Sequence, residues 1–239
     1  MIGRASNRAH PDTVQITRRS QRKSSEQAVS PLLCWDCEQR LNKNGEDWVL
    51  RNCYRGRGVF RLRSDVRKRL PFPDASAEIY EAIEEEREKI GYFASSILWR
   101  AALCDWICRG ERYERLGLGR YEEEIRKYLN GNARSPDRFG VMVVLSLLNQ
   151  PWLAMCFPIY YREGSYHCYR FHIPGMTFVL TVGGGVAGDL DRVSVLQPPY
   201  PLLVTDYGDR RVQDEMMLVG GNVPPRGYQA PLVDGTEKG

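Results

Sequence analysis

Two cysteines separated by two residues constrain this chain more than any other feature. Cys34 and Cys37 lie within the run LCWDCE, residues 33–38. A Cys-x2-Cys spacing brings two thiolates to one side of a tight turn, as tetrahedral zinc requires. The next cysteine is Cys53, and no second Cys-x2-Cys follows. The sequence therefore predicts an incomplete zinc site, with Cys53 as a weaker candidate for the third ligand.

The composition is that of a soluble globular protein. The chain has 239 residues, of which 42% are hydrophobic and 27% charged, enough for one or two domains. Apolar runs such as residues 141–148 are far shorter than the roughly 20 residues that span a bilayer. The start has no apolar core of a signal peptide. The seven cysteines form no disulfide framework. We therefore expect a cytoplasmic protein with reduced thiols and no membrane partner.

Positive charge is concentrated in the first part of the chain. Residues 1–70 carry sixteen basic and seven acidic side chains, whereas residues 71–239 carry eighteen and twenty-three. Guanidinium groups suit phosphates because they donate bidentate hydrogen bonds and stay charged. The alternative is a solvated surface that aids solubility. The candidate contacts with DNA or RNA are Arg51, Arg55, Arg57, Arg61, Arg63, Arg67, Lys68 and Arg69.

Apolar periodicity predicts helices between residues 38 and 131. A helix over residues 38–53 should bend near Asn44-Gly45, and residues 59–63 alternate like an extended segment. We expect a helix capped by Asp74 or Ser76, with Ile79 on its apolar face, and another over residues 120–129.

A further helix is expected at the centre of the core. Gly91 should separate the capped helix from this one, which covers residues 92–108 and is apolar on most sides. Arg100 is the exception within it. A buried charge there needs a partner or an exit to solvent.

The second half of the chain has the pattern of a small antiparallel sheet. Four runs rich in strand-forming residues are separated by Pro, Gly and Asn: 141–148, 154–161, 166–172 and 176–182. The segment from Pro198 onward is rich in Pro and Gly and is expected to be irregular.

These patterns predict an α+β fold in three parts. Residues 1–70 form a small basic zinc-module remnant, and residues 71–190 pack a helical layer on an antiparallel sheet. Residues 191–239 form an irregular tail.

Four segments resemble a group of mostly uncharacterised bacterial proteins whose N-terminal regions are similar to HNH-type treble-clef zinc modules. They are LLCWDCEQRL at 32–41, GEDWV at 45–49, FASSILWR at 93–100 and LGRYEEEIR at 118–126. In that group, an earlier Cys-x2-Cys and a Ser-His-x-x-Pro stretch precede the matched region. The resemblance implies that this chain is N-terminally truncated relative to the group and lacks two zinc ligands.

The resemblance also implies an incomplete catalytic site. HNH nucleases place a metal-binding histidine after the last Cys-x2-Cys and use a histidine as general base. Here Glu38 follows Cys37, and His10 is the only histidine before His167. Glu38 and His10 are therefore weak catalytic candidates.

We expect a zinc-binding, nucleic-acid-associated protein related to HNH nucleases, without nuclease activity in this form. One alternative is a metal-free structural or partner-binding protein. Another is a metal-dependent endonuclease within a longer natural chain.

Overall fold

The computed structural model describes residues 14–16, 21–23, 32–65, 69–71, 78–108, 111–133, 139–183 and 193–220. Its helices are α1 (Trp35–Leu41), a π-helical turn (Asn42–Glu46), α2 (Asp47–Asn52), α3 (Arg61–Asp65), α4 (Glu84–Leu103), α5 (Tyr121–Leu129) and α6 (Tyr207–Gly220). Its strands are β1 (Val14–Ile16), β2 (Gln21–Lys23), β3 (Arg69–Leu70), β4 (Glu78–Glu81), β5 (Trp106–Cys108), β6 (Glu111–Tyr113), β7 (Phe139–Ser146), β8 (Ile159–Glu163), β9 (Tyr166–Ile173), β10 (Met176–Val182) and β11 (Pro201–Thr205).

A seven-stranded sheet organises the fold, in the order β3-β4-β11-β7-β10-β9-β8. The predicted α+β class is confirmed. The sheet is mixed, because β11 pairs parallel with β7 while every other pair in it is antiparallel. Two further antiparallel pairs, β1–β2 and β5–β6, lie outside this sheet. In the described ranges, no helix has both the length and the apolarity to cross a bilayer.

The main core lies between the helices and one face of this sheet. On β10, Phe178 and Leu180 point toward α4, where Phe93 packs edge-on against Phe178 at a centroid distance of 5.5 Å. The alternate residues of a strand face the other side of the sheet. The same core includes Leu41 and Leu62 from the first 70 residues. The predicted boundary near residue 70 therefore does not divide the hydrophobic core.

Helix α1, the π-helical turn and α2 form one continuous helical segment that crosses α4. The predicted helix is confirmed, and a π-helical turn lies where the bend near Asn44-Gly45 was expected. Gly45 allows the close crossing. A Cβ atom there would lie 2.8 Å from the backbone nitrogen of Phe93 and 3.0 Å from the carbonyl oxygen of Lys89.

Helix α4 is longer at its start and shorter at its end than expected. The prediction that Gly91 divides two helices is wrong, because Gly91 lies inside α4 and leaves space for the side chain of Leu196. The helix ends at Leu103, where Cys104 becomes extended, and residues 106–108 form strand β5. Ile79 belongs to strand β4, so the helix expected to start at Asp74 or Ser76 starts instead at Glu84.

The expected extended segment at residues 59–63 is instead a bridge followed by helix α3. Phe60 pairs with Tyr54 in an isolated antiparallel bridge, and Arg61 starts the helix. Within α3, Arg63 donates hydrogen bonds to the carbonyl oxygens of Ser146 and Leu148 at 3.0 and 2.6 Å. Tertiary contacts thus outweigh the short alternating sequence pattern that predicted an extended segment.

The prediction of an irregular tail after residue 190 is wrong for residues 201–220, which form a strand and a helix. Strand β11 lies between β4 and β7, and all five of its residues are buried. Pro201 is tolerated because it is the first residue of the strand. Helix α6 follows and contacts β7. The ordered α+β unit therefore continues through residue 220 rather than ending near 190.

Candidate metal and nucleic-acid interface

Cys34 and Cys37 lie at the start of the continuous helical segment. Cys34 is the exposed residue that precedes helix α1, and Cys37 lies half-buried in its first turn. The backbone N–H and thiol of Cys37 donate to Cys34, which lowers the pKa of the Cys34 thiol. The same thiol–thiol hydrogen bond raises the pKa of Cys37. The two sulfur atoms therefore lie together, as their spacing predicts, and Cys34 ionises first.

Cys53 cannot join this pair, so its assignment as a third zinc ligand is wrong. The helical segment between them has 18 residues, and a helix of that length spans about 27 Å. Ligands of one zinc ion are all within about 2.3 Å of the metal. Cys53 is buried, its thiol donates to the carbonyl oxygen of Leu50 at 3.5 Å, and burial raises its pKa to about 11.

A structural zinc ion takes four ligands, and the described residues bring two candidate thiols together. No group of three or more His, Cys, Asp or Glu side chains converges within those ranges. Glu38 follows Cys37, and its backbone N–H donates to the Cys34 carbonyl oxygen at 3.1 Å. His10 lies outside the described residues. Two adjacent thiols have chemistry that suits zinc, and a four-ligand site would need two further ligands besides them.

Four of the eight predicted phosphate contacts are exposed beyond the far end of the same helical segment. They belong to α2, the following loop and the start of α3: Arg51, Arg55, Arg57 and Arg61. The loop is tight, since the Arg55 backbone N–H donates to the Val59 carbonyl oxygen at 2.9 Å. Arg57 lies at its tip between two glycines, and all three residues have positive φ.

The other predicted contacts differ in their surroundings. Arg63 is held by the two carbonyl oxygens described above, so its guanidinium supports the fold. Arg69 is exposed and lies 3.5 Å from Glu78 across the β3–β4 pair. Arg67 and Lys68 lie outside the described residues. Among the described residues, the loop and its flanking helices therefore present an exposed arginine surface of Arg51, Arg55, Arg57 and Arg61, while Arg69 is exposed beside Glu78.

A second polar site lies inside the protein. It was not predicted from the sequence. Arg100 of α4 pairs with Glu46 at 3.0 Å, and each side chain is only 4% exposed. The predicted need of Arg100 for a partner is thus confirmed. Glu46 could not be identified as that partner, because it lies 54 residues away in the sequence. Glu46 and Arg100 both line a cavity of about 110 Å³.

Comparisons with protein-family models, curated proteins and solved structures found no match to this chain. Function is therefore inferred from the geometry and chemistry of the sites themselves.

Proposed function

We propose that this protein binds zinc and associates with DNA or RNA, and that it is related to HNH nucleases but lacks nuclease activity in this form. One observation supports this most strongly. A single helical segment has two adjacent thiols, Cys34 and Cys37, at its start and leads at its other end into an exposed loop with Arg55 and Arg57.

The thiol pair favours zinc because two sulfur ligands already lie side by side. Zinc binds thiolates, so each coordinating cysteine must lose its proton. Hydrogen bonds from Cys37 lower the pKa of Cys34, which ionises first, whereas the thiol–thiol hydrogen bond raises the pKa of Cys37, which loses its proton less readily. With only two protein ligands identified, water, the side chains before residue 32 or a second chain complete the site. We therefore expect zinc affinity below that of a four-ligand structural site.

The arginine surface favours nucleic acid through phosphate contacts. Arg55, Arg57 and Arg61 follow one another along the loop and the start of α3, and each is exposed. Contacts of this kind fix a protein on the phosphate backbone and read no sequence. The expected binding is therefore insensitive to sequence.

The metal part of the proposal is tested by zinc content after extensive dialysis. The native chain should retain zinc in proportion to the free concentration, and Cys34→Ser/Cys37→Ser should lose it. Cys104→Ser is the matched control, since this half-buried thiol lies outside the pair, and it should behave like the native chain. One tightly held zinc ion that survives the double substitution would refute the assignment.

The zinc content also distinguishes the proposed function from its main alternative, a metal-free scaffold. Only two thiols converge within the described ranges, which favours a metal-free scaffold that binds a protein partner. In that case the native chain retains no zinc, and Cys34→Ser/Cys37→Ser unfolds at the same temperature as the native chain with or without the metal.

A further inference from the structure

Strand β8 forms one edge of the seven-stranded sheet, and within the described residues no strand pairs with its outer side. An unpaired edge presents a row of N–H and C=O groups that can pair with another chain. The edge also exposes apolar surface, since Ile159 is 42% and Tyr160 is 47% exposed. Strand β3 at the opposite edge has only two residues. The sheet therefore has one edge long enough to pair with a further strand.

The hairpin that follows β8 determines which of its main-chain groups face β9. A two-residue turn joins the two strands, with Gly164 in the left-handed conformation and Glu163 opposite Tyr166. The residues that close such a turn exchange backbone hydrogen bonds. The main-chain groups of Glu163 therefore point toward β9.

The direction of the other main-chain groups of β8 follows by alternation. Hydrogen-bonded and non-hydrogen-bonded pairs alternate along an antiparallel ladder. Ile159 and Tyr161 therefore bond to β9, as Glu163 does. The N–H and C=O groups of Tyr160 and Arg162 point away from β9, toward the open side of the sheet.

This pattern allows three registers for antiparallel pairing of β8 with a second β8. Outward residues must lie opposite outward residues, so a twofold axis passes through Tyr160, Tyr161 or Arg162. An axis at Tyr160 places Pro158, which has no N–H, opposite the partner's Arg162. An axis at Arg162 places two guanidinium groups opposite each other, which is unfavourable. An axis at Tyr161 places each Tyr160 opposite the partner's Arg162, and the outward groups of both residues are then all paired.

We propose that β8 pairs antiparallel with β8 of a second copy of this chain, about a twofold axis at Tyr161. Four backbone hydrogen bonds form, two between each Tyr160 and the partner's Arg162. Two seven-stranded sheets thereby become one continuous sheet. A guanidinium beside a tyrosine ring gains cation–π attraction, and the twofold symmetry makes this contact twice. The pairing does not depend on the proposed function.

The side chain of Tyr160 is already held in place for this contact. Its hydroxyl lies 3.0 Å from Nδ1 of His167, and the two rings stack at a centroid distance of 5.8 Å. Tyr169 packs against the same ring at 5.5 Å. The sheet contains a contact of the same kind, since the guanidinium carbon of Arg170 lies 5.2 Å from the centre of the Tyr161 ring. A ring that is ordered before binding loses little side-chain entropy when a guanidinium covers it.

The interface is small, so the dimer should be weak. One five-residue strand from each copy forms it, and interfaces below about 1,200 Å² belong to weak or transient complexes. The Nε atom of Arg162 also donates to the Gly164 carbonyl oxygen at 3.1 Å, a contact that dimerisation must keep or replace. We expect a Kd on the order of 100 µM.

Sedimentation equilibrium between about 10 µM and 1 mM, which brackets this Kd, tests the pairing. The native chain should pass from monomer to dimer across that range. Arg162→Pro removes an outward N–H that β8 does not use within its own sheet, a change that edge strands tolerate. This variant should remain monomeric and keep the circular dichroism spectrum of the native chain.

A matched pair of substitutions tests the register. Tyr160→Lys places a cation opposite the partner's Arg162 and should weaken dimerisation at least about tenfold, because two pairs change in each dimer. Tyr160→Glu loses the same ring but places a carboxylate opposite that guanidinium. It should keep the Kd within about threefold of the native value.

A native chain that stays monomeric up to about 1 mM would overturn the proposal. A dimer that both Tyr160→Lys and Arg162→Pro leave intact would also overturn it, because its contact then lies elsewhere. Equal losses in Tyr160→Lys and Tyr160→Glu would contradict the axis at Tyr161 and with it the proposal. If Arg162→Pro does not fold, the two Tyr160 variants decide, since they change an exposed side chain.

Discussion

Two buried acidic side chains, Glu46 and Asp209, are accommodated in different ways. Glu46 is neutralised by Arg100, and Lys89 donates to the nearby Lys43 carbonyl oxygen across the same helix crossing. Asp209 instead accepts from the hydroxyl of Ser146, with its two carboxylate oxygens 2.8 and 2.7 Å from that oxygen. The difference determines how each site responds to substitution and to pH.

Breaking the Glu46–Arg100 pair should be costly, whereas replacing both partners should not. Glu46→Met or Arg100→Met leaves one buried charge alone, which costs about 3–5 kcal/mol of unfolding free energy. Glu46→Met/Arg100→Met removes both charges and should recover most of that loss. Urea denaturation of the three variants measures this. A double variant destabilised by the sum of the two single losses would contradict it.

The contribution of Asp209 to the stability of the protein should decrease as pH rises. Burial raises the pKa of Asp209, an effect that its hydrogen bond to Ser146 and the charge of Arg63 oppose. The folded state therefore holds this proton more strongly than the unfolded chain, where an Asp pKa is about 3.9. As pH rises from about 3.9 through the folded-state pKa of Asp209, this contribution to stability is lost.

Asp209→Asn removes this titration and keeps an acceptor for Ser146. The native chain should lose unfolding free energy relative to Asp209→Asn as pH increases from about 4 to 7. Parallel urea-denaturation curves for the two chains across that range would show that Asp209 is not responsible.

At the scale of elements, two glycines set how closely neighbouring segments approach α4. Gly45 brings the π-helical turn against the backbone of α4, and Gly91 within α4 makes room for Leu196. The two sites differ in what a methyl group would meet. At Gly45 the obstacle is main chain, which cannot move alone, and at Gly91 it is the end of a flexible side chain.

Gly45→Ala should therefore destabilise the protein by about 1–3 kcal/mol, the usual cost of overpacking. Gly117→Ala is the matched control, because a Cβ atom there would meet nothing within 4 Å. Thermal unfolding monitored by circular dichroism measures both. Equal melting temperatures for the two variants would contradict a close helix crossing at Gly45.

Elements with strong local signals were predictable from the sequence. Strands β9 and β10 are rich in strand-forming residues and are joined by a short Pro-Gly turn, and α5 ends just before Gly131, which takes a positive φ of 74°. Strand β11 was missed because prolines before it indicate a loop. Its position is determined by pairing with β4 and β7, which are distant in sequence.

At the scale of the molecule, local sequence revealed one site and concealed the other. The Cys34–Cys37 pair was identifiable because both cysteines lie in one turn. The cavity was not identifiable, since its walls come from the π-helical turn, α2, α4, β5, β9 and the segment before β8. For the arginines, charge alone does not distinguish Arg63, whose guanidinium supports the fold, from Arg57, which faces solvent.

The whole chain should not cut nucleic acid. Metal-assisted hydrolysis needs a base that activates water and a cation that stabilises developing charge. Glu38 lies beside the thiol pair, and no histidine joins them within the described ranges. Purified protein with magnesium or manganese should leave supercoiled plasmid intact. Metal-dependent cleavage that disappears in Glu38→Ala would refute this and make Glu38 a catalytic residue.

The salt dependence of nucleic-acid binding tests the central proposal most directly. Counterion release makes affinity fall steeply between about 50 and 200 mM salt when arginines contact phosphates. The native chain should show this for DNA or RNA of any sequence. Arg57→Glu/Arg61→Glu should weaken binding and flatten the slope, whereas Arg126→Glu/Lys127→Glu makes the same change in net charge on α5 and should have little effect. No binding at about 50 mM salt, or equal losses in the two variants, would contradict the proposed interface.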